Sequence, residues 1–184
     1  MFVQTNYDVN ACCDRIILNL AMVASQKFGV HPKATHSNAL TLQTAKFYVR
    51  TDLGLSSTSF SHSPTSPIYG TGQGSGNSPM IWGFISSVLL DAYKEKAEPA
   101  VYCHPDGSNE LKLAMIGFVD DNNGQVNKFR DEQNMDSLYQ LMDHAKQNAT
   151  LWAELLGATG GALELQKCSY HILYWSSLSK ALQC

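Results

Sequence analysis

The 184-residue chain lacks a surplus of positive charge. It has 13 Lys and Arg against 16 Asp and Glu, which gives a net charge of −3. A protein that binds nucleic acid by itself usually carries excess positive charge, because its cations displace the counterions of the phosphates. The charge balance therefore predicts that this chain alone binds nucleic acid weakly.

The chain also lacks the features of a secreted or membrane protein. Its cysteines are odd in number and form no C-x-x-C pair, so neither a disulfide framework nor a zinc site is indicated. The first residues contain no basic segment followed by an apolar one, and the longest apolar run, near 80–90, is too short to span a bilayer. These absences predict an intracellular protein with reduced thiols, in the cytoplasm or nucleus, without membrane association.

Composition and hydrophobic spacing indicate one globular domain, 1–184. Hydrophobic residues make up 44% of the chain and charged residues 16%, which is ordinary for a soluble fold. Strands are predicted at 1–8, on both sides of the Asp106-Gly107 turn, and on both sides of Lys167 within 163–175. Apolar residues at helical spacing predict helices at 10–28, 37–50, 80–90 and 135–156.

The most informative segment is Phe118-Val119-Asp120-Asp121, which follows an apolar run and leads into Asn122-Asn123-Gly124. The pattern predicts a buried strand that ends at a tight hairpin turn. Neighbouring side chains within a strand point to opposite faces, but at a turn they need not do so. The turn can therefore hold paired carboxylates at a sheet edge, although Asp and Asn are also ordinary turn residues.

A glycine-rich loop precedes the predicted helix 80–90. Residues 55–79 are rich in Ser, Gly, Thr and Pro and have the composition of a flexible linker. However, Ser78-Pro79 places a capping residue and a first-turn proline directly before the apolar helix. The segment 72–77 is then a loop at a helix N-terminus, where glycine allows the backbone to approach a ligand closely.

Taken in chain order, these segments resemble the palm of reverse transcriptases, particularly those of retroelements. The first palm motif resembles the segment from Asp8 to Ile16, and the second, Q-G-S-x-x-S-P, resembles the segment from Gly72 to Pro79. The third corresponds to residues 118–121, and the fourth resembles Thr159-Gly160-Gly161 with the following Lys167. The resemblance covers 8–175. It implies an α+β fold, with an antiparallel sheet of about four strands and helices on one face, as in the ferredoxin-like palm.

The resemblance also implies a function, RNA-directed DNA synthesis by two-metal nucleotidyl transfer to a primer 3′-hydroxyl. Two Mg²⁺ ions, or Mn²⁺ in their place, would be bound by Asp8, Asp120 and Asp121. Lys167 would lie near the pyrophosphate leaving group as a cation or general acid. Cys13, Gln73 and Gly74 would contact the substrate, the last two along the nascent base pair. The implied partners are an RNA or DNA template with its primer, and deoxynucleoside triphosphates.

The sequence departs from the palm pattern in two respects. Cys13 occupies the position where the family has Tyr or Phe, the side chain that crowds the sugar 2′-position. The fingers, which grip the triphosphate, and the thumb, which holds the duplex, are also missing and would have to come from another segment. These departures are consistent with a partial retroelement copy. Two alternatives remain: a non-catalytic remnant that is an interaction domain or has no function, and a palm-fold nucleotide cyclase, which leaves the Gln73 loop unexplained.

Overall fold

A computed structural model describes residues 1–10, 12–63, 65, 69–72, 75–128 and 135–173. Within them the chain alternates between strands and helices. In chain order these are β1 (Phe2–Asp8), α1 (Cys12–Arg15), α2 (Leu18–Lys27), α3 (Pro32–Thr44), β2 (Lys46–Thr51), β3 (Gly54–Ser61), α4 (Ser78–Lys94), β4 (Ala100–Cys103), β5 (Glu110–Leu113), β6 (Met115–Phe118), β7 (Asp121–Asn127), α5 (Met135–Ala158) and β8 (Ser169–Leu173).

Backbone contacts group the chain into two compact units. The sheet unit comprises Met1–Asn10, Leu89–Ala158 and Ala162–Cys184, and the helical unit comprises Ala11–Val88 and Thr159–Gly161. The assignment of 1–184 to a single palm domain stays a prediction. Within the described residues, no helix is both long enough and apolar enough to cross a bilayer.

The sheet unit is built on a four-stranded antiparallel sheet in the order β6-β7-β1-β8. Strand β1 is central and pairs with β7 from Phe2↔Asn127 to Asp8↔Asp121. On its other side it pairs with β8, where Val3 lies opposite Ile172. Four antiparallel strands combined with helices confirm the predicted α+β class.

One face of this sheet packs on helix α5. Val3 and Val126 lie opposite each other and are buried with Met1 and Leu141, the last of which comes from α5. Every second residue of a strand lies on the same face, so this apolar face belongs to alternate residues of β1 and β7. The intervening positions place Asp8 and Asp121 on the opposite face.

An aromatic cluster extends this core. The rings of Tyr93 and Trp152 meet edge to face with centroids 5.7 Å apart, and Tyr7 is buried as well. Burial is the largest cause that raises the pKa of both tyrosines above that of free tyrosine. In the described part of the chain, both hydroxyls and Nε1 of Trp152 are buried without a hydrogen bond of good geometry.

Within the sheet unit, two asparagine side chains bind the backbone of the segment that contains Glu98 and Val101. Oδ1 of Asn127 accepts a hydrogen bond from the Val101 N–H at 2.9 Å, and its Nδ2 donates to the Val101 carbonyl at 2.7 Å. The buried Asn148 bonds both backbone groups of Glu98 in the same way, at 3.0 and 2.8 Å. Each amide therefore acts like one rung of a β-ladder.

The helical unit is organised around Ser78, at the start of α4. Its hydroxyl is buried and donates to the carbonyls of Thr71 and Gly72, at 3.1 and 2.8 Å. This serine holds the preceding loop. The apolar residues Ile81 and Ile85, one turn apart on α4, are buried below it, as the predicted helix requires.

Two predicted helices of this unit differ from the structure. The predicted helix 10–28 is divided between α1 and α2, because the carbonyls of Cys13 and Ile16 accept hydrogen bonds from Thr71 and Gly70. The predicted helix 37–50 is α3, which begins at Pro32 and ends at Thr44. After Thr44 the β-forming residues 47–49 belong to β2, which pairs with β3 inside the stretch that has linker composition.

The later elements agree with the sequence more closely. The hairpin around Asp106-Gly107 is confirmed as β4 and β5, and helix α5 is confirmed with its end two residues beyond the prediction. Of the two strands predicted around Lys167, β8 follows it, while Leu163 forms only a single bridge with Val9. Residues 174–175 lie outside the described residues.

Candidate functional site

The turn between β6 and β7 consists of Val119 and Asp120, since Phe118 pairs directly with Asp121. The predicted turn residues Asn122–Gly124 instead belong to β7, so that part of the prediction was wrong. Val119 has φ of 54°, which is unusual for a β-branched residue and costs about 1–3 kcal/mol. Strain of this kind is maintained when the surrounding structure requires that turn, and it is concentrated at functional sites.

The strand before this turn is not buried as predicted. β6 is the edge of the sheet, and its Ile116 and Phe118 are 50% and 76% exposed. An apolar run predicts burial only when another layer covers it, and Phe118 lacks such a cover within the described residues. The carboxylates that follow β6 therefore lie at an accessible edge.

Asp8 and Asp121 form the centre of the candidate site. They are the last residue of β1 and the first of β7, and they are directly opposite each other. Opposed residues of antiparallel strands lie on one face with Cβ atoms about 4.5–5.5 Å apart. Two like charges at this separation repel by about 0.2–1 kcal/mol, so a cation bound beside them would be stabilising.

Lys167 supplies one positive charge. Its Nζ lies 3.5 Å from Oδ2 of Asp8, and its side chain is 67% exposed whereas that of Asp8 is 21% exposed. An ion pair with one exposed partner contributes about 0–1 kcal/mol. The ammonium therefore balances part of the carboxylate charge and can move away at little cost.

The segment that carries Lys167 is attached to the end of β1 by hydrogen bonds. The Glu164 N–H donates to the Asp8 carbonyl at 2.9 Å, and the Glu164 carboxylate accepts from Nδ2 of Asn10 at 2.9 Å. The Lys167 N–H in turn donates to the Glu164 carbonyl at 2.9 Å. Sequence reasoning missed Asn10 and Glu164. The position of Asn10 two residues after Asp8 was the only signal available for them.

Asp120 is held by its backbone. Its carbonyl accepts hydrogen bonds from the Val9 N–H and from Nδ2 of the buried Asn122, both at 3.1 Å, and its residue is exposed. Asn122 is a third residue that sequence reasoning missed, because it was assigned to the turn. The Asn122 side chain therefore fixes the backbone of the turn at Asp120, the residue that directly precedes Asp121.

The donor set has the chemistry that Mg²⁺ requires, since all three candidate ligands are carboxylates and two of them face each other. Within the described ranges, however, no group of three or more His, Cys, Asp or Glu side chains is arranged to hold a metal ion. The opposed pair Asp8 and Asp121 is therefore the element that fits a cation. The three-ligand set with Asp120 stays a prediction.

Of the predicted substrate-contacting residues, Cys13 belongs to the helical unit. Cys13 is half-buried in α1, and its carbonyl accepts a 2.7 Å hydrogen bond from the Thr71 N–H. Gln73 and Gly74 lie outside the described residues. In the fourth motif, Gly160 has φ of 90°, and a Cβ atom there would lie 2.4 Å from the Arg15 carbonyl oxygen, so glycine is required.

No protein-family model and no curated protein matches the chain. Among solved structures it is similar to telomerase from Candida tropicalis, a reverse transcriptase-related catalytic subunit. The apo telomerase truncated from the C-terminal domain is 14% identical with a TM-score of 0.54, and the match covers 96% of this chain and 31% of that one. The telomerase in complex with the TWJ fragment of telomeric RNA is 15% identical with a TM-score of 0.54, covering 92% and 26%.

At this identity the likeness shows the fold, which is reverse-transcriptase-like. The chain spans less than a third of the length of either telomerase.

Proposed function

We propose that this chain is the palm of an RNA-directed DNA polymerase of the retroelement type, which transfers nucleotides to a primer 3′-hydroxyl. The observation that carries the proposal is the register of β1 and β7, which places Asp8 directly opposite Asp121 beside a strained turn. Opposed carboxylates at a sheet edge repel each other by about 0.2–1 kcal/mol, and a bound cation would relieve that repulsion. The reverse-transcriptase-like fold and the order of the four motifs support the same function.

Asp8, Asp120 and Asp121 would hold two Mg²⁺ ions, or Mn²⁺, which activate the primer hydroxyl and neutralise charge on the triphosphate. Asp8 and Asp121 would carry most of the binding, because their positions are fixed by paired strands. Strands position ligands more rigidly than loops do. Asp120 joins them from the turn, where its backbone is held by Val9 and Asn122.

Lys167 would have two positions in the proposed function. Its Nζ lies 3.5 Å from Oδ2 of Asp8. Because its side chain is exposed, the ammonium would also be free to lie toward the pyrophosphate. There it would stabilise the leaving group by charge or by donating a proton.

Metal binding by the whole chain tests this proposal. Titration with Mn²⁺, followed by electron paramagnetic resonance, should detect binding in the unmodified chain, and Asp8→Asn should weaken it at least about tenfold. Primer extension on an RNA template with deoxynucleoside triphosphates then tests catalysis. Asp106→Asn provides a matched control, since Asp106 is an exposed carboxylate in another turn.

A non-catalytic interaction domain is the second candidate. It is favoured by the absence of a three-residue metal group within the described residues. In that case the chain would bind Mn²⁺ no better than Asp8→Asn and would not extend a primer. Metal binding without extension would instead indicate that these carboxylates bind metal but that the chain as tested does not turn over.

Cys13 provides a separate test of substrate contact. If the chain extends primers, a side chain this small should admit the 2′-hydroxyl that a bulky aromatic excludes by overlap. Cys13→Tyr should then restore preference for deoxynucleotides, mainly by lowering ribonucleotide incorporation. Steady-state incorporation of both nucleotide types measures this. Equal discrimination by the two forms would mean that position 13 is ordinary packing.

A further inference from the structure

The charges of the chain are segregated. Residues 16–51 contain four cations (Lys27, Lys33, Lys46 and Arg50) and no Asp or Glu. By sequence, the helical unit carries five Lys and Arg against two Asp and Glu, for a charge of +3, and the sheet unit carries eight against fourteen, for −6. The net charge of the chain is therefore negative although its helical unit is basic and can attract phosphates.

Within the helical unit, the β2–β3 hairpin presents two of these cations around an aromatic ring. Lys46 and Tyr48 are two residues apart on β2 and share one face, with about 6.6 Å between them. Arg50 follows two residues later on β2, and the register with β3 shifts between Tyr48 and Arg50. All three are exposed, Tyr48 by 49%. The residues opposite Lys46 and Tyr48 are Ser61 and Ser59, which are too small to cover the tyrosine ring.

The other face of the hairpin holds it together. Phe47 and Phe60 lie opposite each other with stacked rings 5.2 Å apart, and the His62 ring packs against Phe47 at 5.5 Å. An isolated two-stranded hairpin is only marginally stable in water, so it depends on such pairs. The face with Tyr48 is not needed for this packing. The two faces therefore have separable roles.

The cations on the Tyr48 face are not neutralised. Within the described residues, neither Lys46 nor Arg50 forms an ion pair with a carboxylate. The hairpin contains a single acidic residue, Asp52 in its turn. An exposed ring between two unpaired cations is the arrangement by which proteins bind single-stranded nucleic acid, since bases stack on the ring and phosphates contact the cations.

We propose that the Tyr48 face of the β2–β3 hairpin binds single-stranded nucleic acid, with a base on the Tyr48 ring and phosphates at Lys46 and Arg50. This surface belongs to the helical unit, whereas Asp8 and Asp121 belong to the sheet unit. Its binding requires neither metal ions nor nucleotide transfer. The inference therefore goes beyond the polymerase function and can be correct even if that function is absent.

Fluorescence anisotropy of a labelled twelve-nucleotide oligo(U) with the full chain, in EDTA and without nucleotides, tests the proposal. Tyr48→Ala should weaken binding at least about fivefold, because stacking of one base contributes about 1–3 kcal/mol. Arg50→Gln should reduce the slope of log K against log salt by about 0.7, the value for one phosphate of a single strand. Tyr139→Ala and Lys112→Gln are controls, since both residues are exposed elsewhere.

Two further variants separate binding from folding and from catalysis. Tyr48→Phe keeps the ring and should bind nearly as the unmodified chain does, which excludes unfolding as the cause of the loss. Asp121→Asn should bind the oligonucleotide normally. If Tyr48→Ala and Arg50→Gln bind as tightly as the controls, the proposal is wrong. If the two variants change the sedimentation coefficient of the chain but not its affinity for the oligonucleotide, the face contacts protein and the proposal is also wrong.

Discussion

Replacing Asp121 by Asn should stabilise the metal-free chain while it weakens the response to divalent cations. Asp8 and Asp121 face each other across β1 and β7. Two negative charges about 5 Å apart repel by about 0.8 kcal/mol in a watery environment, and like charges opposed on a sheet cost about 0.2–1 kcal/mol. The Lys167 ammonium, 3.5 Å from Asp8, offsets part of this repulsion. We expect a gain of about 0.5 kcal/mol in the free energy of unfolding.

Thermal unfolding in EDTA and in Mg²⁺ measures both effects. In EDTA the gain should raise the Tm of Asp121→Asn by about 1–2 °C, the shift expected for a chain of this size. In Mg²⁺ at ten times its Kd, the unmodified chain should gain about 1.4 kcal/mol and the variant less. Asp52→Asn, in the exposed turn of the other unit, should change neither value.

Two results would refute this reasoning. If Asp121→Asn lowers the Tm in EDTA, the carboxylates do not repel each other and the side chain has another structural role. If the variant and the unmodified chain gain equally from Mg²⁺, the ion binds elsewhere. Both results can be read without primer extension, so they do not depend on whether this chain is active.

Three further predictions concern the sheet unit. Gly124→Ala should destabilise the fold by about 2 kcal/mol or more, because its Cβ would lie 2.9 Å from a buried tyrosine ring. Gly157→Ala, in the exposed last turn of α5, should instead stabilise it by about 0.5 kcal/mol or less, and urea unfolding compares the two variants. Asn148→Ala should cost about 1–3 kcal/mol by the same assay, since two backbone groups lose their partner, whereas the exposed neighbour Gln147→Ala should cost little. Burial raises the pKa of Tyr93, so the Tyr93 hydroxyl ionises first in the unfolded chain, and the free energy of unfolding falls as the pH rises above 10. Tyr93→Phe should reduce the loss measured by urea unfolding between pH 7 and pH 11, and an equal loss in both forms would contradict this.

The sequence predicted those parts of the fold that local patterns determine. Helix α5 has a long helical periodicity, and the Asp106-Gly107 turn has a strong local signal. The short strand predicted at 1–8 is β1. The pairing of Asp8 with the carboxylate turn came from the motif order. The actual partner, Asp121, depends on the register between β1 and β7, which is a tertiary property.

The errors arose where distant segments override local preference. The break between α1 and α2 comes from backbone hydrogen bonds to Gly70 and Thr71, more than fifty residues away. Residues 122–124 have turn composition, yet they form a strand because Asn122 is buried opposite Tyr7. The linker-like composition of 55–79 concealed β3, because its serines pair with an aromatic strand. The first two partners are distant in sequence, whereas β2 and β3 are neighbours joined by Asp52 and Leu53.

The amide clamp of Asn127 on Val101 has a consequence for local stability. The β4–β5 hairpin forms its own two-stranded sheet. Among the described residues its hydrogen bonds to β7 are those of the Asn127 amide, the bond from the Tyr102 hydroxyl to Gln125, and the bond from the Gln125 N–H to the carbonyl of Ala114, directly after β5. A segment attached by so few bonds can separate from the sheet without unfolding it. Amide hydrogens of β4 and β5 should therefore exchange with deuterium at lower free energy than those of β1, which is paired on both sides.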